Sequence, residues 1–433
     1  MDRQLNAWIN HTQIGTLSEQ NGLWRFAYTE EWLRRPDAYA LCPSLPLQDA
    51  PHVDGASVRP VQWYFDNLLP EEGQRQLIAR AARTSEADAF GLLTHFGAES
   101  AGSITLLLPG QQPTTGKLRA LPDEVLSQRI RDMPRVPLAE QAAKRMSLAG
   151  AQHKMAIIFD GEQLLEPTGN MPSTHILKPD HPDMSYAHSV INEWFVMSLA
   201  KRMGLRVPEV TRKYVPQPVY LISRFDRRKM PDGWERLHCI DACQLLGLDR
   251  AYKYDQGSVK RLLDISKMCS IPAKVRLELF RWLVFNVLVG NGDAHLKNLS
   301  FLVTAKGLIL SPFYDLLSTA VYTTRAFDQD GWPEQVKMAW PVGEEDRITQ
   351  LNRTALISAG EDMGLKASVA LASIDKMASG IQATANQLLE QVILENQTLA
   401  QDQPELQATL GGETRCLRTI INIVINEMSK QLS

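Results

Sequence analysis

The segment VRLELFRWLVFNVLVGN, residues 275–291, constrains this chain most. Phe280, Leu283, Val284, Val287 and Leu288 recur at helical spacing. The apolar run inside it, WLVFNVLVG, is about half the length needed to span a bilayer, so it calls for a protein core rather than a membrane. Directly after it comes NGDAHLKN, which places Asp293, His295, Lys297 and Asn298 within six residues. A polar loop at the end of a buried helix is either a solvated turn or a site.

Composition narrows the class. A chain of 433 residues is too long for one ordinary core, so two or three domains are expected. Hydrophobic residues make up 44% and charged residues 22%, which excludes disorder over most of the length. The net charge of −3 gives no polycation signature, so nucleic-acid binding could rest only on a local patch. The five cysteines are odd in number and irregular in spacing, which argues for a reducing compartment. Cys239 and Cys243 form CxxxC without the second pair a zinc site requires, so they read as buried helix residues. The first residues, MDRQLNAWINHTQIG, lack the apolar core of a signal peptide. A cytoplasmic protein without membrane association is expected.

Three parts follow one another. Residues 1–110 read as a β-rich subdomain, with strands at LWRFAYT and GSITLLLPG and a helix in DNLLPEEGQRQLIARAA. PGQQPTTGKLRALPDE, residues 109–124, is the best linker candidate. Residues 111–228 read as a second β-rich part. HKMAIIFDGEQLLEP gives two strands around an Asp160-Gly161 turn, STHILKPD a third, and VYLISRFDRR a strand running into charge. SVINEWFVMSLAKRMGL reads as the one helix among them, with its basic end before Gly204. Residues 229–433 read as helical, with two late helices near 374–394 and 417–432. The fold class is therefore α+β, with a β-rich N-terminal part and an all-α C-terminal lobe. The last two parts have the outline of a two-lobed kinase.

Asp293 and Asn298 stand in the Asp-x4-Asn spacing of a kinase catalytic loop. There the aspartate accepts the hydroxyl proton and the asparagine carbonyl holds a metal ion. LSFLV and LILS, separated by TAKG, then predict a hairpin. Its return should bring Asp315 beside Asn298, so that two hard oxygen donors converge as Mg²⁺ prefers. Leu316-Leu317 stands where a kinase DFG motif has Phe-Gly. Lys178 ends a strand as the ATP-holding lysine of kinases does, and Glu193 follows in the next helix. SLAGAQHK could bend over phosphates with its backbone N–H groups, although its single glycine fails GxGxxG.

Together SLAGAQHKMAI, THILKPD, NEWFVMSLAKRMGLRVPE, RFDRR, NGDAHLKNLSF and LSPFYDLLS resemble HipA, the kinase toxin of bacterial HipBA toxin–antitoxin modules. The likeness begins at AWINHTQIGTL, SLPLQ and FDNLLPEE and covers essentially the whole chain. It implies an ATP- and Mg²⁺-dependent serine/threonine kinase. By position, Asp293 is the catalytic aspartate, Asn298 and Asp315 the Mg²⁺ ligands, and Lys178 and His295 nucleotide contacts. Ala149, Gly150, Ala151, Gln152, His153 and Lys154 match the phosphate loop, and Ser223 and Phe225 the adenine hinge. The family usually has Glu where Ser223 stands, which leaves backbone hydrogen bonds to adenine. Ser147 matches the autophosphorylated serine. A phosphate there, adding about −1.5 to −2 charge, would be repelled from a loop built for ATP phosphates.

The resemblance also implies a HipB-like helix-turn-helix antitoxin, operator DNA bound through that complex, and a protein substrate, of which a glutamyl-tRNA synthetase is one in the family. Arg347 and Arg353 lie near the DNA-facing part, although Glu344, Glu345 and Asp346 adjoin them. Lys297 is expected as a surface or phosphate-proximal charge. The alternatives are a small-molecule kinase of the aminoglycoside phosphotransferase type, which shares an Asp-x-His-x-x-Asn loop, and a catalytically silent co-repressor.

Overall fold

A computed structural model describes residues 2–133, 135–138, 142, 148–150, 152–231 and 233–433; Ser147 and Ala151 of the expected phosphate loop lie outside them. The chain forms two compact units. The first takes Met1–Pro179, Leu221–Lys253 and Ser300–Ser311, and the second Asp180–Tyr220, Tyr254–Leu299 and Pro312–Ser433. No helix among the described residues is long and apolar enough to cross a membrane.

The first unit is built on antiparallel sheets. In one, the strands run in the order His52–Val53, Leu23–Tyr28, Thr12–Gln20, Arg3–Ile9 and Ile104–Leu107. Alternation sends Leu5, Ala7, Leu17, Phe26 and Leu106 inward, and the helices Pro60–Asp66, Glu72–Ala82 and Ala89–Phe96 belong to the same unit. A second sheet orders His175–Pro179, Met155–Phe159, Leu164–Pro167 and Leu118–Ala120. The last of these lies inside the expected linker, where Leu118 pairs with Pro167 and Ala120 with Leu165. All three of its residues are exposed, so this edge strand carries no apolar alternation that a sequence could reveal. A third sheet sets Cys239–Asp241 beside the hairpin Ser300–Thr304 and Gly307–Leu310.

VYLISRFDRR is not one strand. The strand Pro218–Ser223 stops, and Arg227–Met230 starts a separate hairpin with Gly233–Arg236. The break follows from an ionic knot. Glu99 Oε1 accepts from Arg227 Nη2 at 2.8 Å and Glu99 Oε2 from Arg236 Nη2 at 2.8 Å. Asp226 binds Arg224 at 2.9 and 2.7 Å and also accepts the Gly102 amide at 2.7 Å. The backbone turns at Arg224 so that these side chains reach the interior.

The second unit is mainly helical, with Ser189–Arg202, Val259–Met268, Pro272–Val289, Arg353–Asp362 and the long Ala367–Asp402. Gln407–Thr419 runs on through a wider turn, Ile420–Ile425, into Asn426–Leu432. Residues beyond 229 are not all helical, however. Besides the hairpins of the first unit, Lys337–Val342 pairs with Glu345–Arg347. Charged residues across that turn mask the strand signal, while Met338, Trp340 and Val342 alternate into the core. Pro272–Val289 is the hub of this unit. From Leu279 every residue but Arg281 is buried, as its apolar sequence requires.

Candidate active site

Pro272–Val289 ends on Gly290, whose φ of 62° closes the helix with a left-handed cap. Only glycine fits there, because a Cβ would stand 2.6 Å from Ala320 Cβ and 2.8 Å from Val424 Cγ1. The Gly290 carbonyl accepts from the Ala320 amide at 2.9 Å and from Thr319 Oγ1 at 3.1 Å. Asn291, fully buried, donates to Asn286 Oδ1 at 2.8 Å, and the Gly292 amide donates to Thr319 Oγ1 at 2.8 Å. Trp340 Nε1 donates to the Ala294 carbonyl. Asp293 is thus carried on a backbone fixed on both sides by buried bonds.

A single 3-10 turn, Leu296–Asn298, completes the loop. Asn298 Nδ2 donates to the Asp293 carbonyl at 2.8 Å, which leaves its amide oxygen as the atom it offers a cation. His295 is nearly buried, and the Tyr254 ring meets it edge-on at 5.0 Å. The Tyr254 hydroxyl donates to Asp293 Oδ1 at 2.5 Å. Lys297 is buried rather than at the surface, because the tight turn directs it inward.

The expected hairpin is present, with Phe301 opposite Leu310 and the Ser311 amide donating to the Ser300 carbonyl at 2.9 Å. The chain comes back to the loop, where Tyr314 OH donates to the Lys297 carbonyl at 2.7 Å and the Asp315 carbonyl lies 3.4 Å from Asn291 Nδ2. Asp315 has φ 53°, a left-handed conformation that short polar side chains tolerate best. Asn192 locks the following segment, with Nδ2 donating to the Ser318 carbonyl at 2.9 Å and Oδ1 accepting the Ser318 amide at 2.8 Å. Glu193, next on that helix, is buried. Burial first, then the Glu193 and Asp315 carboxylates, push the Tyr220 phenol well above its usual range, so these three groups are neighbours.

The second unit therefore gathers Asp293, His295, Asn298, Asp315 and Glu193. The donor set fits Mg²⁺: one carboxylate and one amide oxygen are hard ligands, too few to fill an octahedron without waters and phosphates. No three His, Cys, Asp or Glu side chains cluster as a metal site among the described residues.

The first unit carries the other expected residues. Lys178 is buried on the strand that pairs Leu177 with Met155. Ser223 Oγ lies 3.1 Å from His175 Nε2, and burial holds that imidazole below its usual pKa. Phe225 lies between Arg224 and Asp226 of the ionic knot. Gly150 has φ 106°, Pro70 bridges to it, and its carbonyl accepts the Glu71 amide at 3.3 Å. Lys154 Nζ donates to the Ala149 carbonyl at 2.6 Å, closing the loop over itself, and His153 is buried beside it. Leu148, Gly150, Gln152 and Lys154 line a small cavity with Pro70 and Ile78.

Arg347 and Arg353 both make intrachain bonds. Arg347 reaches the Glu334 carbonyl at 2.8 Å, and Arg353 the Leu432 carbonyl at 3.0 Å and Asp375 at 2.5 Å. Sequence reasoning did not single out Asn192, Tyr220 and Tyr254. Asn192 had a signal, a polar residue at a buried position between Ile191 and Phe195; the two tyrosines had none.

Comparison with known proteins decides the family. Residues 146–385 match the model of the HipA-like C-terminal domain, and residues 5–107 that of the HipA N-terminal domain. This chain belongs to the HipA family. Y4mE of Sinorhizobium fredii, a protein that carries a kinase name, is 36% identical over 78% of this chain and 86% of its own length. The serine/threonine-protein kinase toxin HipA of Shewanella oneidensis is 29% identical over 93% of this chain and 92% of its own. The solved Shewanella oneidensis complex of HipA, HipB and operator DNA contains a chain that superposes with a TM-score of 0.77 at 27% identity, covering 98% of this chain and 99% of that one. The mixed α+β fold, the toxin–antitoxin family and homology to serine/threonine protein kinases, with ATP as the phosphoryl donor such kinases imply, all follow.

Proposed function

We propose that this HipA-family chain is a two-lobed serine/threonine protein kinase toxin that moves the γ-phosphoryl group of ATP to a protein hydroxyl and to its own Ser147. The observation that carries this is the convergence, through one buried hydrogen-bonded loop, of Asp293, Asn298 and the returning Asp315. Asp293 orients the acceptor hydroxyl and takes its proton, while Asn298 and Asp315 hold Mg²⁺. The ion, when bound, neutralises charge on the transferring phosphoryl group. Lys178 takes ATP phosphates, and the backbone around Gly150 their outer oxygens, with Ala149, Ala151, Gln152, His153 and Lys154 shaping that loop. Ser223 and Phe225 supply backbone contacts to adenine, and His295 packs on the nucleotide side of the loop. Catalysis then rests on positioning and charge neutralisation.

The Shewanella complex supports a HipB-like antitoxin and operator DNA as partners, and an aminoacyl-tRNA synthetase is the class of protein target proposed. Arg347 and Arg353 would meet DNA phosphates only by giving up their present carbonyl and Asp375 bonds. The test is γ-labelled ATP added with the purified chain to a cell lysate. Labelled protein bands are expected, and Asp293→Gln should abolish them while ATP still binds. Undiminished labelling by that variant would sink the assignment; label confined to small metabolites would favour a small-molecule kinase.

A further inference from the structure

Tyr254 lies 39 residues before Asp293 and outside every motif of the kinase loop. Its hydroxyl nevertheless donates to Asp293 Oδ1 at 2.5 Å, and its ring stands edge-on to His295 at an interplanar angle of 81°. The residue is 42% exposed, so water reaches it. Its turn is anchored just downstream. The Gly257 amide donates to the Tyr254 carbonyl at 3.0 Å, and Ser258 caps the next helix through the Arg261 amide at 3.2 Å. A Cβ on Gly257 would come within 2.6 Å of the Ala339 carbonyl, so this turn packs closely.

A carboxylate acting as general base must hold the acceptor's O–H within about 2.6–3.2 Å. The phenol presents Asp293 with that kind of group at that kind of distance, an oxygen-bound proton aimed at a carboxylate oxygen. We propose that Tyr254 is a stand-in for the acceptor hydroxyl: it occupies Asp293 Oδ1 and yields it when a serine or threonine arrives. This rests on the kinase assignment of Asp293. Tyr254 thereby sets a threshold for acceptors, because an incoming hydroxyl has to displace an existing hydrogen bond. A weakly docked protein fails to do so, and a well-docked one succeeds.

Tyr254→Phe keeps the ring on His295 and removes only the competing hydroxyl. Self-phosphorylation of the full chain by γ-labelled ATP, at saturating ATP and Mg²⁺, is the readout. The initial rate should rise about fivefold, equivalent to a competing bond worth about 1 kcal/mol at 1.4 kcal/mol per tenfold. The KM for ATP should stay within about twofold, since no nucleotide contact is altered. A rate that falls would make Tyr254 a support for Asp293 rather than a competitor, and an unchanged rate would make the bond incidental; either overturns the proposal while leaving the kinase assignment standing. If the wild-type chain incorporates no label, or Asp293→Gln incorporates as much, the kinase assignment falls and the stand-in with it.

Discussion

Removing the Glu99 carboxylate tests the ionic knot that shapes the Ser223–Phe225 segment. Glu99 and Asp226 supply two negative charges to the three guanidinium groups of Arg224, Arg227 and Arg236. The Glu99 side chain is fully buried, and none of the three arginine side chains is more than 2% exposed. Burial first, then repulsion from Arg224, already pull the Arg227 guanidinium down to about 10. Glu99→Ala would leave three buried cations facing one carboxylate. Losing one partner of a buried ion pair costs about 3–5 kcal/mol, against about 5–15 kcal/mol for the whole stability of a domain. Glu99→Gln should cost nearly as much. Oε1 accepts from Arg227 and from Ser173 Oγ at 2.9 Å, and Oε2 from Arg236, so either placement of the new NH₂ group sets donor against donor. Urea unfolding followed by tryptophan fluorescence measures it. With a slope of about 2 kcal/mol per M, the midpoint of the first unit's transition should fall by about 2 M. A fall of less than about 0.5 M for both variants would refute the claim that charge compensation in the knot matters.

Two further outcomes are expected. Burial, opposed by the Tyr214 hydroxyl at 2.8 Å and by Arg212, raises the Glu413 carboxyl from 4.5 to about 7. The folded state then holds a proton the unfolded chain releases, so stability is full below about pH 4.5 and declines as pH rises to about 7, by roughly 3 kcal/mol at 1.4 kcal/mol per pKa unit. Glu413→Gln should remove roughly half of the total decline in melting temperature, because Asp180, which burial raises from 3.8 to about 6, contributes a slope of the same sign and comparable size at pH below about 6; an unchanged slope would contradict this. Gly150→Ala should raise the Kd for ATP about tenfold by calorimetry and lower the melting temperature by a few degrees, since a Cβ at φ 106° is strained and would stand 2.6 Å from Lys154 Nζ. Undisturbed ATP binding would show that the loop tolerates another backbone shape.

What could be read from the chain was local. Apolar periodicity marked Pro272–Val289, the Asp160-Gly161 turn gave its hairpin, and alternation on both sides of TAKG gave the return that carries Asp315 back to the loop. Each depends on residues close in sequence, where period and turn chemistry operate. The exposed strand Leu118–Ala120 and the charged turn after Val342 were hidden, because edge strands with solvated side chains lack that period.

The sequence by itself determined which residue types stand in the catalytic loop and in what order, and the order of motifs was specific enough to indicate the HipA family. Tertiary structure alone decided what surrounds them. RFDRR looked like a strand running into charge, and only its pairing with Glu99, 125 residues from Arg224, shows why the strand breaks there. Asn192, Tyr220 and Tyr254 join the site across 126, 95 and 39 residues respectively, to Ser318, Asp315 and Asp293. Such contacts leave no periodic trace, because a hydrogen bond or ion pair requires only that two groups meet in space, and chain folding, not spacing, sets that meeting.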